Sequence, residues 1–159
     1  MGMHQRPLSL EGKKLVKSIR ARFYPHQSQN PRWMSAFYRE SLLQTRPAQQ
    51  YVLAADELSG PRQQPYVHDI VVTLTYRRKV YKFRVFFKRH KLLPTNKSIR
   101  ALCNVDVDGD VLVVACGKEV DVRNMRGKEE GRAADLAVKR LFARLDPLRG
   151  RRLPAVLSV

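Results

Sequence analysis

Acidic residues are scarce in this chain: 14 Asp and Glu stand against 31 Lys and Arg, a formal charge of +17. From Ile70 to Val105 there is no carboxylate at all. An ordinary solvated face mixes signs, because interspersed acids limit self-repulsion and non-specific binding. An imbalance of this size points to a polyanionic partner, nucleic acid first and an anionic membrane surface second. Long apolar runs are also missing. No stretch approaches the roughly 20 residues that span a bilayer, and no signal-peptide core is visible, so the membrane expectation lacks an anchor. Met1-Gly2 opens like a myristoylation site, but Arg6 stands where Ser or Thr is required.

Cysteine is nearly absent, which excludes a disulfide framework. Cys103 and Cys116 lie in separate apolar contexts and read as buried free thiols in a reducing compartment. The four histidines, His4, His26, His68 and His90, are scattered, and none has metal-ligand spacing with a cysteine. Asp106-Val-Asp108-Gly109-Asp110 invites a calcium-loop reading that the spacing refutes, since the required glycine falls at Val111 and the bidentate Glu at Gly117. Neither a G-x-x-x-x-G-K-[ST] loop nor a G-x-G-x-x-G turn occurs. A Ser-His-Asp set leaves no local motif, so no catalytic residue is assigned. The expectation is a protein that is not an enzyme, with no metal, no cofactor and no small-molecule substrate.

What the chain does contain is concentrated in residues 69–91. Ile70, Val72, Leu74 and Tyr76 alternate, and after the turn-like Arg77-Arg78-Lys79 so do Tyr81, Phe83, Val85 and Phe87. Period two with β-branched and aromatic residues predicts two antiparallel strands sharing a buried face. The second strand's other face carries Lys82, Arg84 and Lys88, and its exit adds Arg89, His90 and Lys91. The partner for such an unneutralised array is a polyphosphate, whose condensed counterions are released on contact. Replacing Lys82, Arg84, Lys88 and Arg89 with Ala is expected to weaken RNA association and leave the thermal midpoint little changed, since exposed charges contribute little to folding.

With 159 residues, 43% of them hydrophobic, the chain is expected to be one domain with extensions. Residues 1–12 form an N-terminal arm, 13–146 the domain, with an insertion around 56–110, and 147–159 a basic tail. Over 13–23, Leu15, Ile19, Ala21 and Phe23 oppose Ser18, Arg20 and Arg22, which predicts a half-buried strand with a second basic face. Asn30 as cap, Pro31 at the first helical position and Trp33, Met34, Phe37, Tyr38 and Leu42 predict a helix over 31–45. Residues 50–55 read as a short strand and 56–65 as a loop. Asn96 or Thr95 caps a short helix over 97–104, with Ile99, Leu102 and Cys103 inward. Residues 111–115 and 119–123 make a second hairpin around Gly117-Lys118. The clearest helix spans 127–145, with Glu129 and Glu130 at its positive end and Lys139, Arg140 and Arg144 towards its negative end. The tail, with Arg149, Arg151 and Arg152, reads as an arm that orders only against a partner.

These elements make an α+β layout, a small mixed sheet with helices packed on it. It resembles thioredoxin, although the loop that holds the redox pair there, Tyr24 to Gln29 here, contains no cysteine. The residues Val16-Lys17-Ser18-Ile19-Arg20-Ala21-Arg22-Phe23-Tyr24-Pro25, the segment around Phe37, and Val113-Val114-Ala115-Cys116-Gly117-Lys118 leading to Met125-Arg126-Gly127 resemble one family. It is the thioredoxin-like family shared by mitochondrial ribosomes and one accessory subunit of respiratory complex I, and the likeness is greatest to a large-subunit ribosomal member. It covers about half the chain. The family's usual cysteine near the end of the first strand is Tyr24 here, and residues 56–110 exceed the family's core, so the basic hairpin reads as an extra element.

The resemblance implies a non-catalytic constituent of the mitochondrial ribosome, in the matrix, bound to ribosomal RNA and neighbouring ribosomal proteins. The alternatives are a complex I accessory subunit of the same fold, which needs no such excess of cations, and a matrix RNA-processing factor. Residues expected to touch RNA phosphates are Arg77, Arg78, Lys79, Lys82, Arg84, Lys88, Arg89 and Lys91, then Arg20 and Arg22, then Arg149, Arg151 and Arg152. Tyr81 reads as core, with a base-stacking contact as the lesser alternative.

Overall fold

The computed structural model describes residues 16–39, 68–88, 93–117, 122–145 and 153–159. Strand β1, Val16–Tyr24, pairs along its length with β2, Arg32–Arg39, and near its end with β5, Val111–Cys116. Strand β5 pairs with β4, Lys79–Phe87, which pairs with β3, His68–Tyr76. The two-residue strand β6, Val122–Arg123, continues along the β5 edge where β1 leaves it, and β7, Val156–Ser158, borders β3. The sheet therefore runs β2-β1-β5-β4-β3-β7 with β6 beside β5. Every pairing is antiparallel except β3 with β7. Two helices complete the described residues, α1, Lys97–Cys103, and α2, Gly127–Leu145.

Alternation decides both sides of the sheet. Ile70, Val72 and Leu74 of β3, Tyr81, Phe83, Val85 and Phe87 of β4, and Val111, Val113 and Ala115 of β5 are buried under Ala133, Ala134, Ala137, Val138, Leu141 and Phe142 of α2. The opposite side holds a second buried cluster of Ile19, Ala21, Phe23, Ala36, Phe86, Leu112 and Val114. Strand β5 is buried at all six positions, as expected of a strand with core on both faces. The basic hairpin is thus no addition to the domain, because β4 lies in the middle of the sheet between β5 and β3.

The helix expected over 31–45 is not formed in its first half; β2 runs there instead. Trp33 packs on the α2 side while Met34 and Ala36 pack on the other, so apolar residues fall on both faces of one strand. A run of that kind has no clear period, and tertiary pairing settles it. Pro31 precedes an edge strand, where its missing donor breaks no ladder bond, and the Asn30 backbone N–H donates to Ser28 Oγ within the preceding turn. A thioredoxin-like order needs a helix between its first two strands, and with β2 in that place it is not confirmed. The mixed α+β class holds, with the sheet dominating. The short helix and the last helix form where the sequence places them. Residues 1–12, 50–55, 56–65, Arg89, His90, Lys91, Arg149, Arg151 and Arg152 lie outside the described residues.

The tail does not wait for a partner at its end. Val71 N–H donates to Ala155 O at 2.9 Å and Val159 N–H to Thr73 O at 2.9 Å, which lays β7 along β3. Leu153, Leu157 and Val159 pack on the main core.

Asn96 ties the loops below β1 and β5 together. Its Oδ1 accepts from Ile99 N–H at 2.8 Å, capping α1, while Nδ2 donates to Tyr24 O at 2.8 Å and Gly109 O at 2.7 Å. All three bonds are buried, so both donors of this amide and its oxygen are engaged. Beside it Asp110 accepts from both the backbone N–H and Nδ1 of His26, each at 2.8 Å. Asp106 pairs with Arg100 at 3.0 Å. The aspartates of this turn are thus tied into the loop structure rather than converging on one centre.

Candidate nucleic-acid interface

The tip of the β3–β4 hairpin is a two-residue turn, Arg77 and Arg78, closed by the Tyr76–Lys79 pair. Both arginines have positive φ, 51° and 65°. Those are the values of a type I′ turn, whose twist matches that of the strands and which Asn-Gly fills most readily. An ordinary side chain in the left-handed region costs on the order of 1 kcal/mol. Arg77, Arg78 and Lys79 are nonetheless present, all exposed, and the Arg77 guanidinium lies over the Tyr76 ring at 5.3 Å.

Behind the tip, Lys79, Val80 and Tyr81 face Arg123, Arg126, Glu129 and Glu130 across a groove of about 520 Å³. Its floor is fixed by the start of α2. Glu130, 7% exposed, accepts from both terminal nitrogens of Arg123 at 2.9 and 2.6 Å and from Arg126 N–H at 2.6 Å. That hydrogen bonding raises the Arg123 pKa further. Tyr81 O–H donates to Glu129 at 3.4 Å, its ring stacks on Phe83, and burial followed by the Glu129 charge pushes its pKa up. Tyr81 is core, as expected from its place in the alternation.

The second basic face meets the same helix. Arg20 N–H donates to Asn124 Oδ1 at 2.7 Å and Arg20 O accepts from Met125 N–H at 3.0 Å, so β1 runs alongside the segment leading into α2. The Arg20 and Arg22 guanidinium carbons lie 4.4 and 4.9 Å from the Trp33 ring centroid. Arg22 reaches Asp135 of α2 at 3.3 Å with two nitrogens, and Tyr24 O–H donates to the same carboxylate at 2.6 Å. Burial, then the Asp135 charge, holds the Tyr24 hydroxyl well above its ordinary pKa.

The two cationic stretches, far apart in sequence, therefore flank one helix start. Arg20 stands on the β1 side, Lys79 and the adjoining turn residues Arg77 and Arg78 on the β4 side, and Arg126, Lys128 and Arg132 are exposed at the helix start together with the acidic Glu129. Along α2 the exposed positions continue with Lys139, Arg140 and Arg144. At 1.5 Å per residue the row from Lys128 to Arg144 is about 24 Å long. Among the described residues none of these ten side chains has a carboxylate partner within ion-pair distance.

Four of the side chains expected to meet RNA stand otherwise than as open surface cations. Arg84, 6% exposed, is bound to Asp69 through Nε–Oδ1 at 2.6 Å and Nη2–Oδ2 at 2.7 Å. Lys88 is buried at 7% exposure, and Lys82 is half-buried. The face carrying these side chains adjoins Phe86 and the second core cluster, and so it is not an open cationic surface. Arg22 is spent on Asp135. Sequence reasoning missed Arg126, Lys128 and Arg132; their signal was the run of cations at 126, 128, 132, 139, 140 and 144, set around an acidic first turn of Glu129 and Glu130.

Compared with family models, with curated proteins and with solved structures, the chain matches none. No described helix is long and apolar enough to cross a membrane.

Proposed function

We propose that the chain is a non-catalytic structural protein of the mitochondrial ribosome, a large-subunit constituent working in the matrix. In this reading it binds phosphates of folded ribosomal RNA and touches neighbouring ribosomal proteins. The observation that carries the RNA part is the hairpin tip. Two exposed arginines occupy left-handed turn positions where Asn-Gly would be more stable, in the hairpin whose next residues, Lys79 to Tyr81, face the start of α2 across the groove. A residue that costs stability at the surface is explained by what it binds. Phosphate contacts position a protein without reading sequence, so the fit to RNA comes from its shape and from protein neighbours.

The ribosomal and mitochondrial parts rest on the resemblance of residues 16–25 and 113–118 to the family named above. The thioredoxin-like order belongs to that resemblance too, and β2 stands where its first helix belongs, so the surface supports this reading more than the fold does. Sedimentation of the tagged chain with large-subunit rRNA after detergent lysis is the expected result. Comigration with complex I, or a sedimentation profile unchanged by ribonuclease, overturns the proposal.

A further inference from the structure

We infer that Arg20 and Trp33 form a preorganised phosphate-binding fork, in which the indole is a positioning residue for a phosphodiester contact and not a platform for a base. The inference rests on the RNA reading and adds to it a contact on the β1 side of α2.

The backbone of Arg20 is held at both polar groups, by Asn124 and Met125, so its Cα is fixed relative to the helix start. Its side chain is exposed, yet its direction is set by the indole 4.4 Å away. The indole is itself seated on α2: a Cβ at Gly131 would come within 2.9 and 3.1 Å of two Trp33 ring carbons. Arg22, also against the ring, is drawn away to Asp135 and leaves Arg20 as the guanidinium there with no carboxylate partner among the described residues.

Two consequences separate a phosphate site from a base site. A base stacks on an open ring face, and Arg20 and Arg22 already lie over this ring, with α2 packed against it at Gly131. Stacking through the π system leaves the five guanidinium N–H donors available, and a two-point fork is the geometry that phosphate oxygens accept. An unrestrained Arg also loses rotamer freedom on binding, part of which the indole has already removed. Arg126, just before α2, and Lys128 and Arg132 in its first two turns are exposed and extend the same site towards neighbouring phosphates.

The test uses the full chain and a labelled RNA stem–loop of about 20 base pairs, titrated at several salt concentrations. Trp33 is the sole tryptophan, so its emission reports on the fork directly. Expected are a change in Trp33 emission on saturation with RNA and a loss of about tenfold in affinity for Arg20→Ala, with the salt slope smaller by about one. Trp33→Leu keeps the apolar contact with Gly131 and is expected to lose a similar factor although no charge is removed. The double variant should be little worse than either. Wild-type affinity in both single variants, or unaltered Trp33 emission, overturns the fork while Arg77→Ala/Arg78→Ala still weakens binding. If the hairpin variant also binds like wild type, or the wild-type chain does not bind the stem–loop, the RNA reading fails as well. Should Trp33→Leu unfold, Arg20→Ala and the emission change decide.

Discussion

Arg84 of β4 and Asp69 of β3 meet diagonally across the hairpin in a two-point ion pair of 2.6 and 2.7 Å, with Asp69 the last acid before the long carboxylate-free stretch. Burial lifts the Asp69 pKa and Arg84 pulls it back down, so each charge depends on the other. Removing one partner of a buried pair costs about 3–5 kcal/mol, whereas replacing both with apolar groups of similar size is often neutral. Arg84→Ala should therefore lower the urea midpoint strongly, and Asp69→Leu/Arg84→Met should recover most of it. Arg84, buried and ion-paired, therefore does not behave as one of the exposed charges whose replacement by Ala leaves the thermal midpoint unchanged.

The hairpin tip should show the reverse trade. Arg77→Asn/Arg78→Gly relieves two left-handed side chains, and the variant should be more stable by about 1–2 kcal/mol in chemical denaturation. It should bind the RNA stem–loop more weakly, because two exposed cations are gone. A variant stabilised with its RNA affinity intact would show that the arginines serve no ligand.

Stability should fall above pH 10. The ordinary tyrosine pKa is 10.0, and both Tyr24 and Tyr81 are held above it in the folded chain. The unfolded state then sheds protons that the native state keeps, so stabilisation present below pH 10 is lost as pH rises through the folded values. Tyr24→Phe should flatten that alkaline slope, while losing the Asp135 bond, roughly 1–2 kcal/mol, at neutral pH. Denaturant melts between pH 8 and pH 11 measure both effects.

At Asn96 the direction of change identifies the groups involved. Asn96→Ala loses the cap and leaves two buried carbonyls without their donors, for about 2–4 kcal/mol in total. Asn96→Asp keeps the acceptor for Ile99 N–H but turns a carboxylate towards the Tyr24 and Gly109 carbonyls. It should be no more stable than the alanine variant at neutral pH, with thermal melting as the measurement.

Removal of residues 153–159 uncovers the Val71–Thr73 edge that β7 covers. An unpaired edge is a template for other chains, so the shortened protein should remain folded by circular dichroism and associate in a concentration-dependent way in sedimentation velocity. A truncation that stays monomeric would mean the edge is protected by other means.

Legible in the sequence were β1, the β3–β4 hairpin, the capped α1 and α2 with its acidic first turn, although β4 proves buried on both of its sides. Their local chemistry suffices, through alternation, the Asn96 cap, and the small apolar stripe of Ala133, Ala137 and Leu141. Only the tertiary structure decided β2, because Trp33 and Met34 pack on opposite faces and a residue run apolar on both sides carries no period. It also decided which cations remain available: Asp69, Asp135 and Glu130, distant in the chain from most of what they touch, bind Arg84, Arg22 and Arg123. Charge is additive along a sequence, but exposure and pairing are properties of the packed surface, and so β1 at Arg20 and β4 at Lys79 meet the start of the same helix only when the sheet is folded.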